Sequence, residues 1–428
     1  MVFNRIEIAK GVNLNIISTD KFKRNFVDVS FILPHRLEYA APSSLLCDVL
    51  TRATQRFPSL LEIERELDEC YGATLSSVSN IKGESKVISL CVDFLSNKYA
   101  LPNDDIFKRT TDLLSDVLFR PCLIDGVFNA DFVENEKEKL LAAIGRRRNS
   151  KRTYATDRCR SIMCEGEAYS VFSYGTVDDV KGVTAKSLYD FYLYMLDKAS
   201  VELFFVGDES EEKIVSYFSA MFSDKPRNDF SYQEYPSLIV PDEQRYIVEE
   251  ADYKQSVLVL GIRTGITQKS ELRYAYSLFN AIFGSGVNSK LFRVVREQMH
   301  LCYYASNSPD ISKGVSFVSS GIDMKNEEIA TNAIKDQLYQ TSIGNFTDED
   351  IQNCKKAIKN SYKELHDSPE SLVGWYLGRV IFGNFETCEQ VCDKIMSVTR
   401  EQIIQVAAKS EIDTIFMLKG VSKMSGSF

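Results

Sequence analysis

The sequence predicts an α+β fold in two homologous domains, each a mostly antiparallel sheet with helices packed on one face. Three observations predict it. The chain has 428 residues, more than the roughly 250–300 that a single hydrophobic core organises. A segment near the middle recurs at the end. DVKGVTAKSLYDFYLYMLDKASVELFFVGD (179–208) and KIMSVTREQIIQVAAKSEIDTIFMLKG (394–420) each run from Val-Thr through a helical stretch and a short polar break into an apolar strand. Val183-Thr184 is matched by Val398-Thr399, 215 positions on (398 − 183). Strands and helices also fall in long separate runs, the pattern of helices laid on an antiparallel sheet. A repeat of half the chain is duplication of a domain, not a solenoid.

The elements follow in order. DVSFILP (28–34) reads as a buried strand, and its counterpart in the second half is SVLVLGIRTG (256–265). SSLLCDVLTRATQRFPS (43–59) reads as a helix leading into a loop. Ser59 with Glu62 has capping-box spacing, so a second helix starts at Ser59 with Leu61, Ile63 and Leu67 as its apolar positions. Lys82-Gly83-Glu84-Ser85 is a hairpin turn, and Ile88, Leu90, Val92 and Phe94 alternate after it with the period of a half-buried strand. Residues 104–118 and 129–148 read as helices. SDKPRNDFSYQEYPSLIVPDEQ (223–244) is polar and carries three of the ten prolines, which is linker composition. The expected division is a first domain over 1–225, a linker over 226–244 and a second domain over 245–428.

Bulk properties exclude several classes. The chain is 44% hydrophobic and 26% charged with a net charge of −9, which argues against a general nucleic-acid binder. The basic run GRRRNSKR (145–152) is then a solvated helix end. No apolar run approaches the ~20 residues of a membrane span. The first residues, MVFNRIEIAKGVNLNI, lack a basic start followed by an apolar stretch, so a cytoplasmic location is expected. Ten cysteines without a CxxC read as reduced thiols. Cys47 is then a small buried thiol with no histidine near it in sequence to activate it. Three histidines, His35, His300 and His366, lie far apart, and a local zinc motif needs two on one helical face.

The densest motif is GSGVNSKLFRVVREQMHLCYYASNS (284–308). Gly284 and Gly286 break a helix whose apolar stripe is Tyr274, Leu278 and Ile282. A new helix carries Leu291, Phe292 and Val295. Arg296 falls near its end and Tyr303 at the start of the next strand. Read alone, Arg296 is a surface side chain paired with Glu297, and Tyr303 is a core tyrosine. Together these positions resemble the insulinase/pitrilysin/processing-peptidase family of zinc metallopeptidases, and the resemblance covers essentially the whole chain. It is strongest at 284–304 and at 59–76, where Leu61-Glu62-Ile63 and YGATLSS fit the family's second helix and strand.

The resemblance implies two clamshell halves. It also implies that Arg296 and Tyr303 reach a zinc site from the opposite half, where guanidinium and phenol are donors for substrate and developing oxyanion. The family's His-x-x-Glu-His falls on Leu45, Asp48 and Val49, and its third ligand, a downstream glutamate, falls on Ala143 in EKEKLLAAIGRRR (136–148). Three ligands are thereby lost, and Asp48 alone cannot hold Zn²⁺. Family members occur as pairs in which one subunit holds zinc and the other supplies Arg and Tyr. The implied role is a non-catalytic, substrate-binding or regulatory subunit of a heterodimeric peptidase. It would have no metal or cofactor of its own, zinc only in a paralogous partner, peptide as substrate, and no nucleic-acid or membrane partner. The alternatives are a metallopeptidase with an unusual carboxylate site, or a non-proteolytic scaffold homodimer.

Overall fold

The computed structural model describes residues 2–223, 225, 243–253 and 255–420. Apart from its last two residues, the linker expected at 226–244 lies outside them. The chain forms two compact units: Met1–Ile144 with Val171–Tyr235 and Ser368–Leu377, and Gly145–Ser170 with Pro236–Asp367 and Gly378–Phe428.

The strands of the first unit are β1 (Val2–Ala9), β2 (Val12–Ser18), β3 (Arg24–Pro34), β4 (Thr74–Lys82), β5 (Ser85–Leu95), the short pair β6 (Leu123–Ile124) and β7 (Val127–Phe128), and β8 (Ser200–Gly207). Its main sheet has the order β1-β2-β8-β3-β5-β4, with only β2 and β8 parallel. The second unit carries β9 (Arg245–Ala251), β10 (Ser256–Arg263), β11 (Cys302–Asp310), β12 (Val315–Ile322) and β13 (Glu411–Gly420) in the order β11-β12-β10-β13-β9, with only β9 and β13 parallel. Taken in chain order, β9 to β13 repeat the arrangement of β2, β3, β4, β5 and β8. The repeat seen in sequence is therefore a repeat of topology. Its Val-Thr pairs are helix starts: Thr184 and Thr399 each close a capping box, with Ser187 and Gln402.

Helices α1 (Leu37–Leu50), α2 (Leu60–Glu69), α3 (Ile106–Phe119), α4 (Ala130–Asn149), α5 (Lys151–Met163), α6 (Val177–Gly182), α7 (Ala185–Lys198) and α8 (Glu211–Phe222) precede β9. Leu45 and Val49 of α1, Phe107 and Leu114 of α3, Leu188 of α7 and Phe218 of α8 share one core with Val27, Val29, Leu90 and Leu203 of the sheet. Ser59 caps α2 through its hydroxyl, which accepts from the Glu62 N–H, and Ile63 and Leu67 are buried. Leu61, expected on the apolar face, is instead exposed, because it falls on the outer side of that short helix.

The alternation over 88–94 marks a difference of chemistry, not of exposure. β5 is buried on both faces almost throughout. Its second face bears Ser89 and Cys91, which meet polar partners on β3. Ser89 and Ser30 hydroxyls lie 2.6 Å apart, and the Cys91 thiol donates to Asp28 at 3.0 Å. Burial raises the Asp28 carboxyl above its usual range, against the hydrogen bonds from Cys91, Ser30 and Ser89.

Lys86, at the start of β5, has 0% exposure and donates to the Ser173 carbonyl at 2.5 Å. Burial lowers its pKa to about 8. The folded value is thus below the unfolded one, so the unfolded chain binds the extra proton between about pH 8 and 10.5, and stability rises with pH across that window. Lys86→Met removes this contribution. The stability gap between variant and parent should shift by on the order of 2–3 kcal/mol between pH 7 and pH 10.5. Denaturant titrations of both proteins at the two pH values check it; a constant gap would show that the ammonium is not desolvated.

After β9 come α9 (Arg273–Phe283), a π-helix (Leu291–Gln298), α10 (Glu327–Ser342), α11 (Asp348–Glu364), α12 (Pro369–Ile381), α13 (Cys388–Met396) and α14 (Arg400–Ala408), all in the second unit except α12, which belongs to the first unit as far as Leu377. α9, α10 and α14 pack together as one layer. α5, although it precedes β8 in sequence, belongs to this second unit. Its Ala155, Cys159 and Met163 join Val257, Val259, Phe317 and Phe416 in one apolar cluster. The approach is close enough to demand Gly261, since a Cβ there would lie 2.6 Å from the Met163 sulfur. The residues that alternate with these on β10, Leu258, Leu260 and Ile262, are buried too, so this sheet is covered on both faces.

Buried charges pin the end of α5. Arg263 of β10 bonds Asp413 at 2.6 Å, the Met163 carbonyl at 2.5 Å and Glu167 at 3.3 Å. Lys313 reaches Glu167 at 2.6 Å, and Arg245 reaches Asp413 and the Ile162 and Met163 carbonyls, each at 2.8 Å. The last carbonyls of a helix have no partners within it, so these guanidinium groups satisfy them and face the negative end of the helix dipole.

Candidate functional site

The 284–308 motif builds a surface of the second unit. α9 ends at Gly284, whose carbonyl accepts from the Asn307 N–H at 2.9 Å. A Cβ at Gly284 would lie 2.4 Å from that of Asn307, so the glycine is what lets β11 pass so near. Ser289 turns the chain into the next helix: its hydroxyl donates to Gly286 and accepts from the Phe292 N–H. That helix closes with Met299 donating to the Val294 carbonyl, five residues back, at 2.9 Å. Such π-helical turns hold an extra residue and shift side chains away from α-helical spacing. Leu291 and Val295 are buried, as the apolar pattern predicted.

Arg296 projects from this helix. Its guanidinium lies 3.4 Å from Glu297 and 4.6 Å from the centre of the Phe292 ring. The ion pair with Glu297 is the one expected of a surface arginine. Tyr303 is not a core residue: it is 60% exposed. In β11, Cys302 pairs with Ile322 and Tyr304 with Gly321, which leaves Tyr303 as the extra residue of a β-bulge. A bulge re-aims the side chain it carries. The Tyr303 hydroxyl donates to Asp323 at 3.2 Å, and that bond raises its pKa. Nothing in the sequence pattern marks the bulge.

The positions at which the family resemblance would put a zinc site lie on α1 and α4. Leu45 and Val49 are buried in the first unit's core, and Ala143 is half-buried. None of the three offers an atom that binds a metal, so the residues present do not fit zinc. Asp48 is exposed on the same helix. Glu136, two helical turns before Ala143 on α4, is only 3% exposed. It meets Arg52 at 2.6 Å and Lys139 at 2.9 Å. Although Asp48 reaches solvent, partial desolvation by the groups around it and then the Glu136 charge raise its carboxyl, while Lys139 and Arg52 oppose the shift. Among the described residues, no three His, Cys, Asp or Glu side chains converge in a way that could hold a metal. His35 is buried beside the Val171 carbonyl at 3.1 Å, and His366 lies 3.3 Å from Glu389. Cys47 is buried, and its thiol is pushed up to about 12 by burial and the Asp48 charge. In the basic run, Arg147 pairs with Asp157 at 2.7 Å and Arg152 donates to Ser306 at 2.6 Å. Sequence reasoning named Asp48 and Ala143 but missed Arg52, Glu136 and Lys139. The helical spacing of Glu136, Lys139 and Ala143 was the available signal.

Comparison with known proteins bears on the family and the fold. Residues 182–358 match the family described as "Peptidase M16 inactive domain". The chain is 30% identical over 417 residues to the "Probable inactive metalloprotease YmfF" of Bacillus subtilis (strain 168), covering 97% of each. It is similar to a solved conserved protein from Enterococcus faecalis V583, with a TM-score of 0.92 at 29% identity over 98% of this chain and 99% of that one. A solved "peptidase M16 inactive domain" from Pseudomonas fluorescens shares the fold, with a TM-score of 0.82 at 17% identity over 98% and 99% of the two chains. By this similarity over its whole length, this chain belongs to the M16 peptidase family, as a member lacking the His-x-x-Glu-His zinc motif.

Proposed function

We propose that this inactive-type homologue is the substrate-binding or regulatory subunit of a heterodimeric zinc metallopeptidase, and that it supplies Arg296 and Tyr303 to the active site of a zinc-bearing paralogue. One observation carries the reading: a β-bulge throws Tyr303 outward into solvent on a motif whose own chain has only Leu45, Val49 and Ala143 where metal ligands belong. An exposed phenol and guanidinium are hydrogen-bond donors suited to a peptide carbonyl or an oxyanion. The carboxylate-metal alternative is disfavoured by the cluster itself, because Glu136 is already held by Arg52 and Lys139, which leaves Asp48 as a single exposed carboxylate beside them. The ten cysteines are all free thiols, which suits a reducing compartment such as the cytoplasm. Among the described residues, no helix is long and apolar enough to cross a membrane.

The test uses the purified chain alone and mixed with a paralogue that retains His-x-x-Glu-His. Alone, it should cleave no peptide and carry no stoichiometric zinc by elemental analysis. Mixed, it should form a complex and raise the partner's peptidase activity. About one zinc per chain, with peptidase activity lost on chelation, would instead establish a metal site in this subunit. A chain that neither binds nor stimulates such a paralogue would be a scaffold that keeps only the protease fold.

A further inference from the structure

We propose that the Arg52–Glu136 ion pair has replaced the metal as the link between α1 and α4, and that the same pair keeps a divalent cation out. This stands on the first unit alone and does not depend on a partner subunit.

The geometry is specific. Leu45, Val49 and Arg52 follow one another at spacings of four and three, so they share a face of α1 that continues into its closing turn, where the Arg52 N–H bonds the Val49 carbonyl at 3.3 Å. Phe132, Glu136, Lys139 and Ala143 share a face of α4 by the same rule. Arg52 lies across that face, 2.6 Å from Glu136 and 6.0 Å from the centre of the Phe132 ring. The two helices that the resemblance would bridge by a metal at 45, 49 and 143 are thus bridged instead by a guanidinium one turn beyond Val49 that meets a carboxylate two turns before Ala143.

Charge explains the exclusion. Glu136 and Asp48 contribute two negative charges, and Arg52 and Lys139 contribute two positive ones, so the cluster is formally neutral. A carboxylate as buried as Glu136 must be compensated where it sits, and here both its cations come from the protein. A divalent ion arriving near it would meet carboxylates already neutralised and would be repelled by two cations, the largely buried Arg52 more strongly than the exposed Lys139. Restoring the ligands while Arg52 remains would therefore not restore the metal.

Two experiments test this. The first compares Leu45→His/Val49→His/Ala143→Glu with the same variant carrying Arg52→Met. Each is titrated with Co²⁺, followed by its visible absorption, and assayed for retained zinc after dialysis. The triple variant should bind neither metal in stoichiometric amount, whereas the quadruple variant should bind about one. Equal behaviour of the two, whether both bind or neither does, overturns the exclusion. The second keeps the native ligand positions, so it does not depend on the triple variant folding. Arg52→Met should lower the thermal unfolding midpoint. Glu136→Gln should lower it much less when added to Arg52→Met than when made alone, or should raise it, because the neutral amide needs no cation. Strictly additive shifts overturn the cross-link.

Discussion

Replacing Arg263 with Met is expected to destabilise the second unit by about 3–5 kcal/mol, the range for breaking a buried ion pair by removing one partner. Arg263 is 4% exposed, and its guanidinium serves two carboxylates and one helix-end carbonyl. Its loss leaves Glu167 with Lys313 and Asp413 with Arg245, each a single cation where there were two. It also leaves the Met163 carbonyl bonded through Arg245 alone. The effect should concentrate where α5 meets β10, so amide exchange in 151–163 should accelerate more than exchange in the first unit. Arg158→Ala is the control. Its pair with Glu249 at 2.6 Å is about one-third exposed on the arginine side, and pairs of that kind are worth about 0–1 kcal/mol. Equal denaturation midpoints for the parent and Arg263→Met would mean that apolar contacts alone hold α5. The cluster also sets an acid limit. Burial would raise Asp413, but hydrogen bonds from Thr414, Arg263 and Arg245 outweigh it and hold its carboxyl below the usual range. A lowered folded value means that the contribution of Asp413 is complete above its unfolded pKa, about 3.9, and is lost as pH falls below it.

The placement of α5 is also where sequence reading reached its limit. Period and capping located the helices over 104–118 and 129–148, and the Val-Thr repeat located the starts of α7 and α14, because these signals are local. Nothing local says that 151–163 packs on a strand about a hundred residues later. That choice is made by Gly261, which leaves room for Met163, and by charges on β9, β10, β13 and the turn before β12 that converge only after folding. The hairpin at 82–85 was legible because a two-residue turn fixes its own register. The burial of the polar face of β5 was not, since Ser89 and Cys91 read as solvent-facing until their partners on β3 are known. At the candidate site the absence of a His-x-x-Glu-His could be read directly, whereas the Arg52–Glu136 ion pair required knowing that the end of α1 reaches α4.

The 284–308 motif was legible as a pattern, yet its main structural consequence, the bulge at Tyr303, was not, and it motivates the second large prediction. In a complex with a zinc-bearing paralogue, Tyr303→Phe should reduce the stimulated peptidase rate by on the order of 10²–10³, the usual cost of removing one oxyanion donor, and should leave assembly intact. The ring is 60% exposed and its hydroxyl bonds outward, to Asp323 on the same surface, so deleting that oxygen disturbs no core packing. Arg296→Ala should also slow the complex, but it reads less cleanly. Its guanidinium stacks on Phe292, and truncation removes that contact together with the charge. Arg296→Lys separates the two effects, because it keeps a cation while losing the planar, two-pronged donor geometry. If the donors act on the transition state, kcat should fall for Tyr303→Phe with little change in KM. If they only hold the peptide, KM should rise with kcat unchanged. Assembly is checked by co-elution of each variant with the partner. Full activity in both the Tyr303→Phe and Arg296→Ala complexes would mean that the bulge serves the fold alone and that any stimulation arises from the interface.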